Sequence, residues 1–85
     1  METFLGSLLL VPYNFVPQGW ALCNGQQLPI AQNNALFALI GTTFGGDGVR
    51  TFALPNLTGA KAITDVSGAP LTWIIALTGI FPSRN

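Results

Sequence analysis

The chain contains no histidine, a single cysteine, and only three basic and three acidic residues in 85 positions. Each shortage removes a class of function. With Glu2, Asp47 and Asp65 as the acids and Cys23 as the thiol, no set of metal ligands can be assembled. A nucleophile would lack an adjacent imidazole, and nothing in the spacing brings Lys61 or a carboxylate beside one. The chain therefore reads as non-enzymatic and without a cofactor. A lone cysteine excludes an intrachain disulfide and behaves most simply as a small buried hydrophobe. Arg50, Lys61 and Arg84 are too few and too scattered to neutralise a run of phosphates, so no nucleic-acid partner is expected.

The same shortage bears on the surface. Charged residues make up 7% of the chain and hydrophobic ones 49%, against roughly 25% charged in a typical soluble domain. A chain of this length forms one domain, residues 1–85, and buries only about 60–65% of the surface its unfolded form exposes. That leaves apolar surface in need of cover. A bilayer is not the answer, because the longest apolar run, Leu71 to Phe81, is interrupted by Thr72, Thr78 and Gly79 and falls short of the ~20 residues a spanning helix needs. The opening METFLGSLLLVP lacks a basic n-region and a small-residue cleavage site. It reads as a strand, and synthesis in the cytoplasm without a signal peptide is expected.

What is present is a series of short elements separated by glycine and proline. FLGSLLLV, Phe4 to Val11, is a strand ended by Pro12. Asn24-Gly25, flanked by Trp20 to Cys23 and Gln26 to Leu28, predicts a tight type I′ hairpin, because both residues tolerate positive φ. Leu36, Leu39 and Ile40 at i, i+3, i+4 spacing predict one short helix over Gln32 to Ile40, closed by Gly41. Ala31 offers that helix no side-chain cap. Thr51 to Leu54 and Thr72 to Leu77 read as further strands. The expected class is α+β, a small, mostly-β module. Trp20, Phe37, Phe52 and Trp73 fall inside these patterns and are read as core. Trp20→Ala is accordingly expected to unfold the chain. Gly45-Gly46-Asp47-Gly48 lacks the Lys-Ser/Thr and following helix of a phosphate cradle and reads as a turn, with Asp47 and Arg50 paired across it. Asn56-Leu57-Thr58 matches a glycosylation sequon but reads as a turn after a strand.

The order of these segments, GWALCNGQ (Gly19 to Gln26), Leu28-Pro29, QNNALFALIGTTFGGDG (Gln32 to Gly48), TFALPNL (Thr51 to Leu57) and the terminal LTWIIALTGIFPSRN (Leu71 to Asn85), resembles the phage tail collar domain family, in its microcystin-dependent protein subgroup. The resemblance covers most of the chain. It implies a tail-collar-like fold and a structural subunit of a phage tail or a phage-tail-like contractile injection particle. Partners would be other tail or baseplate proteins and copies of itself, with a homotrimer favoured because fibre-associated relatives are trimeric. This chain departs from the family in two places. Ser7, Leu8 and Leu9 stand where relatives carry glutamate, an aliphatic residue and arginine, and the segment from Ala60 to Pro70 replaces a long insertion, giving a shortened form.

A strand apolar on both faces is covered on both faces. Side chains alternate, so Leu8 and Leu10 share one face and Ser7, Leu9 and Val11 the other. The first is expected to pack on the chain's own core. The second, with Trp73 on the terminal strand, is the expected oligomer interface. Tyr13 and Phe15, between Pro12 and Pro17, form a possible surface-binding loop for the alternative role, a tail-tip module recognising a cell-surface glycan or receptor.

Overall fold

The computed structural model describes residues 3–13, 15–58 and 71–83; the expectations placed on Glu2, on the segment 59–70 and on Arg84 lie outside them. Among the described residues five strands form two antiparallel sheets. Strands β1 (Leu8–Val11), β2 (Trp20–Leu22) and β5 (Thr72–Ala76) make a sheet in the order β1-β5-β2, and β3 (Gln27–Pro29) pairs with β4 (Thr51–Ala53). The one α-helix among the described residues, α1 (Asn34–Ile40), follows a short 3₁₀ turn at Ile30–Gln32. The mostly-β, α+β class read from the sequence is the one observed.

The central strand has the composition its position requires. TWIIA is rich in β-branched residues that suit a pleated surface. Its consecutive Ile74 and Ile75 are 0% and 2% exposed, and because neighbours in a strand point to opposite faces, both faces of this sheet are covered within one chain. On one face the register aligns Leu8, Ile75 and Ala21. There the core cluster forms, joining Ala21, Cys23 and Ile75 of the sheet to Leu36 of α1 and to Phe52 and Leu54 of β4 and its end. The other face carries Val11, Ile74 and Ala76, all buried. The second cover that the sequence seemed to require from another chain is thus provided over the middle of the sheet by this chain itself.

The expected hairpin at Asn24-Gly25 does not form. A type I′ turn needs positive φ at both central residues, and only Gly25 has it, at +80°. The backbone groups that would have closed the hairpin are taken by the segment after β4. Cys23 accepts from Leu57 N–H at 2.8 Å, Gly25 N–H donates to the Pro55 carbonyl at 3.2 Å, and Gln26 accepts from Leu54 N–H at 2.9 Å. Asn24 bridges antiparallel to Asn56. The Asn-Gly step is therefore a crossover from one sheet to the other.

Two other boundaries shift for local reasons. The first strand begins only at Leu8, because Gly6 turns the chain at φ +81° and the Ser7 hydroxyl donates to the Phe4 carbonyl at 2.7 Å. Phe4 pairs instead with Ile80 in a parallel bridge. The helix starts late, since Asn33 sits at φ −141° and gives its side-chain N–H to the Pro29 carbonyl, leaving the first turn without a side-chain cap. It ends as expected at Gly41, φ +54°, whose N–H donates to Phe37 at 2.8 Å. Trp20 lies in the register row of Ala76, on the face away from the core cluster, and is half-buried. Trp20 is thus not the anchor the sequence predicted, and Phe52, with no exposed surface, takes that place.

Candidate functional site

The side chains offer little chemistry. No group of three or more His, Cys, Asp or Glu residues that could hold a metal occurs among the described residues. Cys23 is buried and free, and burial raises its thiol pKa to about 11, far from the thiolate a nucleophile requires. No helix among the described residues is long and apolar enough to cross a membrane.

The glycine loop after α1 is a rigid structural device. The Asp47 carboxylate, expected to pair with the Arg50 guanidinium, instead accepts the backbone N–H groups of Thr51 at 3.0 Å, Arg50 at 2.8 Å and Val49 at 2.8 Å. The sequence signal was an aspartate followed by glycine and a tight return, since Asp side chains readily close such turns onto the backbone. These bonds, Thr51's foremost, lower the Asp47 pKa to about 2. The loop is tied to β4 by Gly48 N–H to the Thr51 carbonyl and Ala53 N–H to the Gly45 carbonyl, each at 3.0 Å. Its tip presents Val49, 80% exposed.

A pH dependence follows. A carboxylate whose pKa is depressed in the folded chain adds stability that is fully present above its unfolded value near 3.8, and that stability is lost as pH falls through about 2. Acidification into that window is expected to free the amides of Val49, Arg50 and Thr51 while the sheets persist. Amide NMR shifts recorded against pH check it, and amides that stay unchanged through pH 2 would contradict it.

The residues predicted for an oligomer interface are not brought together as one surface. Leu9 is 46% exposed and available. Val11 is buried within its own chain, and Trp73 packs against the chain's own core cluster. Ser7 is half-buried, with its hydroxyl turned to Phe4. Leu8, expected to lie in the core, is 45% exposed, because the face it shares with Ile75 is covered at the middle of the sheet and not at its edge. Phe4, Ile80 and Phe81 add further exposed apolar surface beside the Phe4–Ile80 bridge.

Tyr13 and Phe15 are found together on the loop between β1 and β2. Their rings stack with centroids 4.3 Å apart and planes 20° from parallel, and Phe15 is 63% exposed. A shallow, mostly apolar cavity of about 140 Å³ opens elsewhere, between the Leu22–Asn24 segment, Leu57 and Trp73. Of the described residues, only Asp47 and Arg50 carry side-chain charge, and both lie on the glycine loop.

Residues 6–61 fit the family model described as Phage Tail Collar Domain, a span that includes β1 to β4 and stops short of β5. No curated protein and no solved structure matches the chain.

Proposed function

The chain belongs to the phage tail collar domain family, and from that membership we propose that it is a non-enzymatic structural subunit of a phage tail or of a phage-tail-like contractile injection particle, working by homo-oligomeric assembly. It is read as a shortened form in the microcystin-dependent protein subgroup. Its partners are copies of itself and neighbouring tail or baseplate proteins, and its place is the assembled particle. The observation that carries the assembly reading is the exposed apolar set of Phe4, Leu8, Leu9, Phe44, Val49, Ile80 and Phe81 on a chain with so little charge. Surfaces of this kind mark protein–protein contacts.

Light scattering coupled to size exclusion at micromolar concentration tests it. A stable oligomer is the expected result, and a monodisperse species with the mass of one chain would overturn the assembly reading.

A second reading, recognition of a cell-surface glycan, is favoured by the exposed Tyr13–Phe15 stack, since flat aromatic faces suit sugar rings with one apolar side. A glycan array probed with the intact protein and with Tyr13→Ala separates the two readings. Binding lost in the variant would support recognition, and an empty array would leave assembly alone.

A further inference from the structure

The edges of the two sheets differ in how they are finished. A sheet edge presents unpaired N–H and C=O groups that invite another strand, and proteins normally blunt it. On β2, Trp20 N–H donates to the Pro17 carbonyl at 3.1 Å, and the Leu22 carbonyl accepts the Gln26 side-chain amide at 3.1 Å. On β3, Pro29 has no N–H, and its carbonyl accepts the Asn33 side-chain amide at 3.0 Å. The outer edge of β4 is paired with Gly45 and Gly48 of the glycine loop. The outer edge of β1 has none of these devices among the described residues.

The direction of its backbone groups follows from the register. The Ser7 carbonyl accepts from Ala76 N–H at 2.9 Å, so the row of Ser7 bonds toward β5. Hydrogen-bonding rows alternate along an antiparallel pair. Leu9, opposite Ile74, and Val11, opposite Thr72, therefore bond inward. Leu8 and Leu10 turn their N–H and C=O groups outward. The second neighbour of β5 agrees, since Cys23 N–H to the Trp73 carbonyl and Leu77 N–H to the Gly19 carbonyl assign the alternate rows to β2.

We infer that this edge docks the β1 edge of a second copy of the chain, antiparallel and about a two-fold axis, so that the two sheets become one. This rests on the assembly reading above and gives it an address. Leu8-Leu9-Leu10 reads the same in both directions, so antiparallel self-pairing sets Leu8 opposite the partner subunit's Leu10 and brings Leu9 against the partner's Leu9 at the axis. Leu8 and Leu10 exchange their outward N–H and C=O groups with those residues, while Leu9 forms the close, non-hydrogen-bonded pair in which side chains approach nearest. The half-exposed leucines on both faces of β1 gain the cover they lack in one chain. With β2 and β4 carrying such devices and β3 interrupted by Pro29, β1 is the least protected edge among the described residues, and its self-complementary leucines fit an edge of their own kind. The contact is therefore isologous, giving a pair in place of the three-fold arrangement that the family resemblance implies.

Charge reversal at the axis tests it. Leu9→Lys and Leu9→Asp each set like charges against one another across the axis and are expected to weaken the pair by roughly tenfold or more while circular dichroism stays that of the parent. Mixed in equal amounts, the two variants are expected to reassociate, which sedimentation velocity reads directly. If both variants remain as associated as the parent, the β1 edge is not the contact, although assembly stands. The same conclusion follows if they dissociate and mixing restores nothing. A parent that sediments as one chain overturns both readings. Should a charged variant fail to fold, Leu8→Pro removes an outward N–H and no bond to β5: a folded, dissociated Leu8→Pro supports the edge, and a folded, associated one refutes it.

Discussion

Phe52→Ala is expected to remove about 3–5 kcal/mol of stability, the usual result of hollowing out a fully buried aromatic site, and so to take away a large part of what a domain of this size possesses. Phe52 is completely enclosed. It sits where β4 meets the core cluster, and its ring lies tilted at 56° to that of Phe37 with centroids 5.5 Å apart. Loss of the ring removes its contact with Phe37 of the helix and opens a void in the core cluster. Urea unfolding at fixed protein concentration measures the change. Trp20→Ala in the same experiment is the informative contrast, since that indole is only partly buried and its face of the sheet is not the one that meets α1. A larger loss at Trp20 than at Phe52 would show that the core has been misplaced.

Gly46→Ala is the second change expected to be severe, although it adds only a methyl group. A Cβ at this position would collide with the Phe52 Cα and stand 2.8 Å from the Thr51 carbonyl oxygen. Both obstacles are backbone, so no side chain can rotate out of the way. The residue also holds φ at +95°, a conformation that non-glycine residues adopt only with strain. A loss of roughly 3 kcal/mol or more is expected, which for a chain of this length lowers the melting temperature by about 12 °C or more. Gly41→Ala is the matched control. Its added Cβ would meet nothing within 4 Å, and a melting temperature equally depressed in both variants would remove the steric explanation.

The two cases show where a sequence is legible. The strand at Thr51 to Leu54, the terminal strand at Thr72 to Leu77 and the helix ending at Gly41 could be read because each rests on a local period or a local stop signal. Their partners could not. Asn24-Gly25 has the local chemistry of a hairpin, and the outcome is decided by Leu54, Pro55 and Leu57, which arrive some thirty residues later and claim the same backbone groups. The alternation along β1 correctly separates the face of Leu8 from the face of Leu9, but alternation says nothing of how far along a strand the cover extends. Leu8 and Leu9 are consequently alike in exposure while Val11 is buried. Tyr13 and Phe15 could be placed on a surface because prolines fence them off, whereas their stacking depends on a geometry that residue types alone do not encode. The Asp47 clamp is not singled out by residue types, because an acid and a base three residues apart fit an ion pair as well as a turn.

The position of β5 has a consequence for how the chain is made. Among the described strands it comes last in sequence and lies in the middle of its sheet, so β1 and β2, joined by a short loop, have no ladder partner until β5 enters between them. A ribosome adding about 5–20 residues per second leaves both strands waiting for several seconds with their backbones open. The sheet therefore closes only after β5 has been made, from distant pairings that form slowly. A nascent chain halted before Thr72 would carry an extra unpaired strand edge in addition to that of the finished fold, and would meet its neighbours on the polysome in that state.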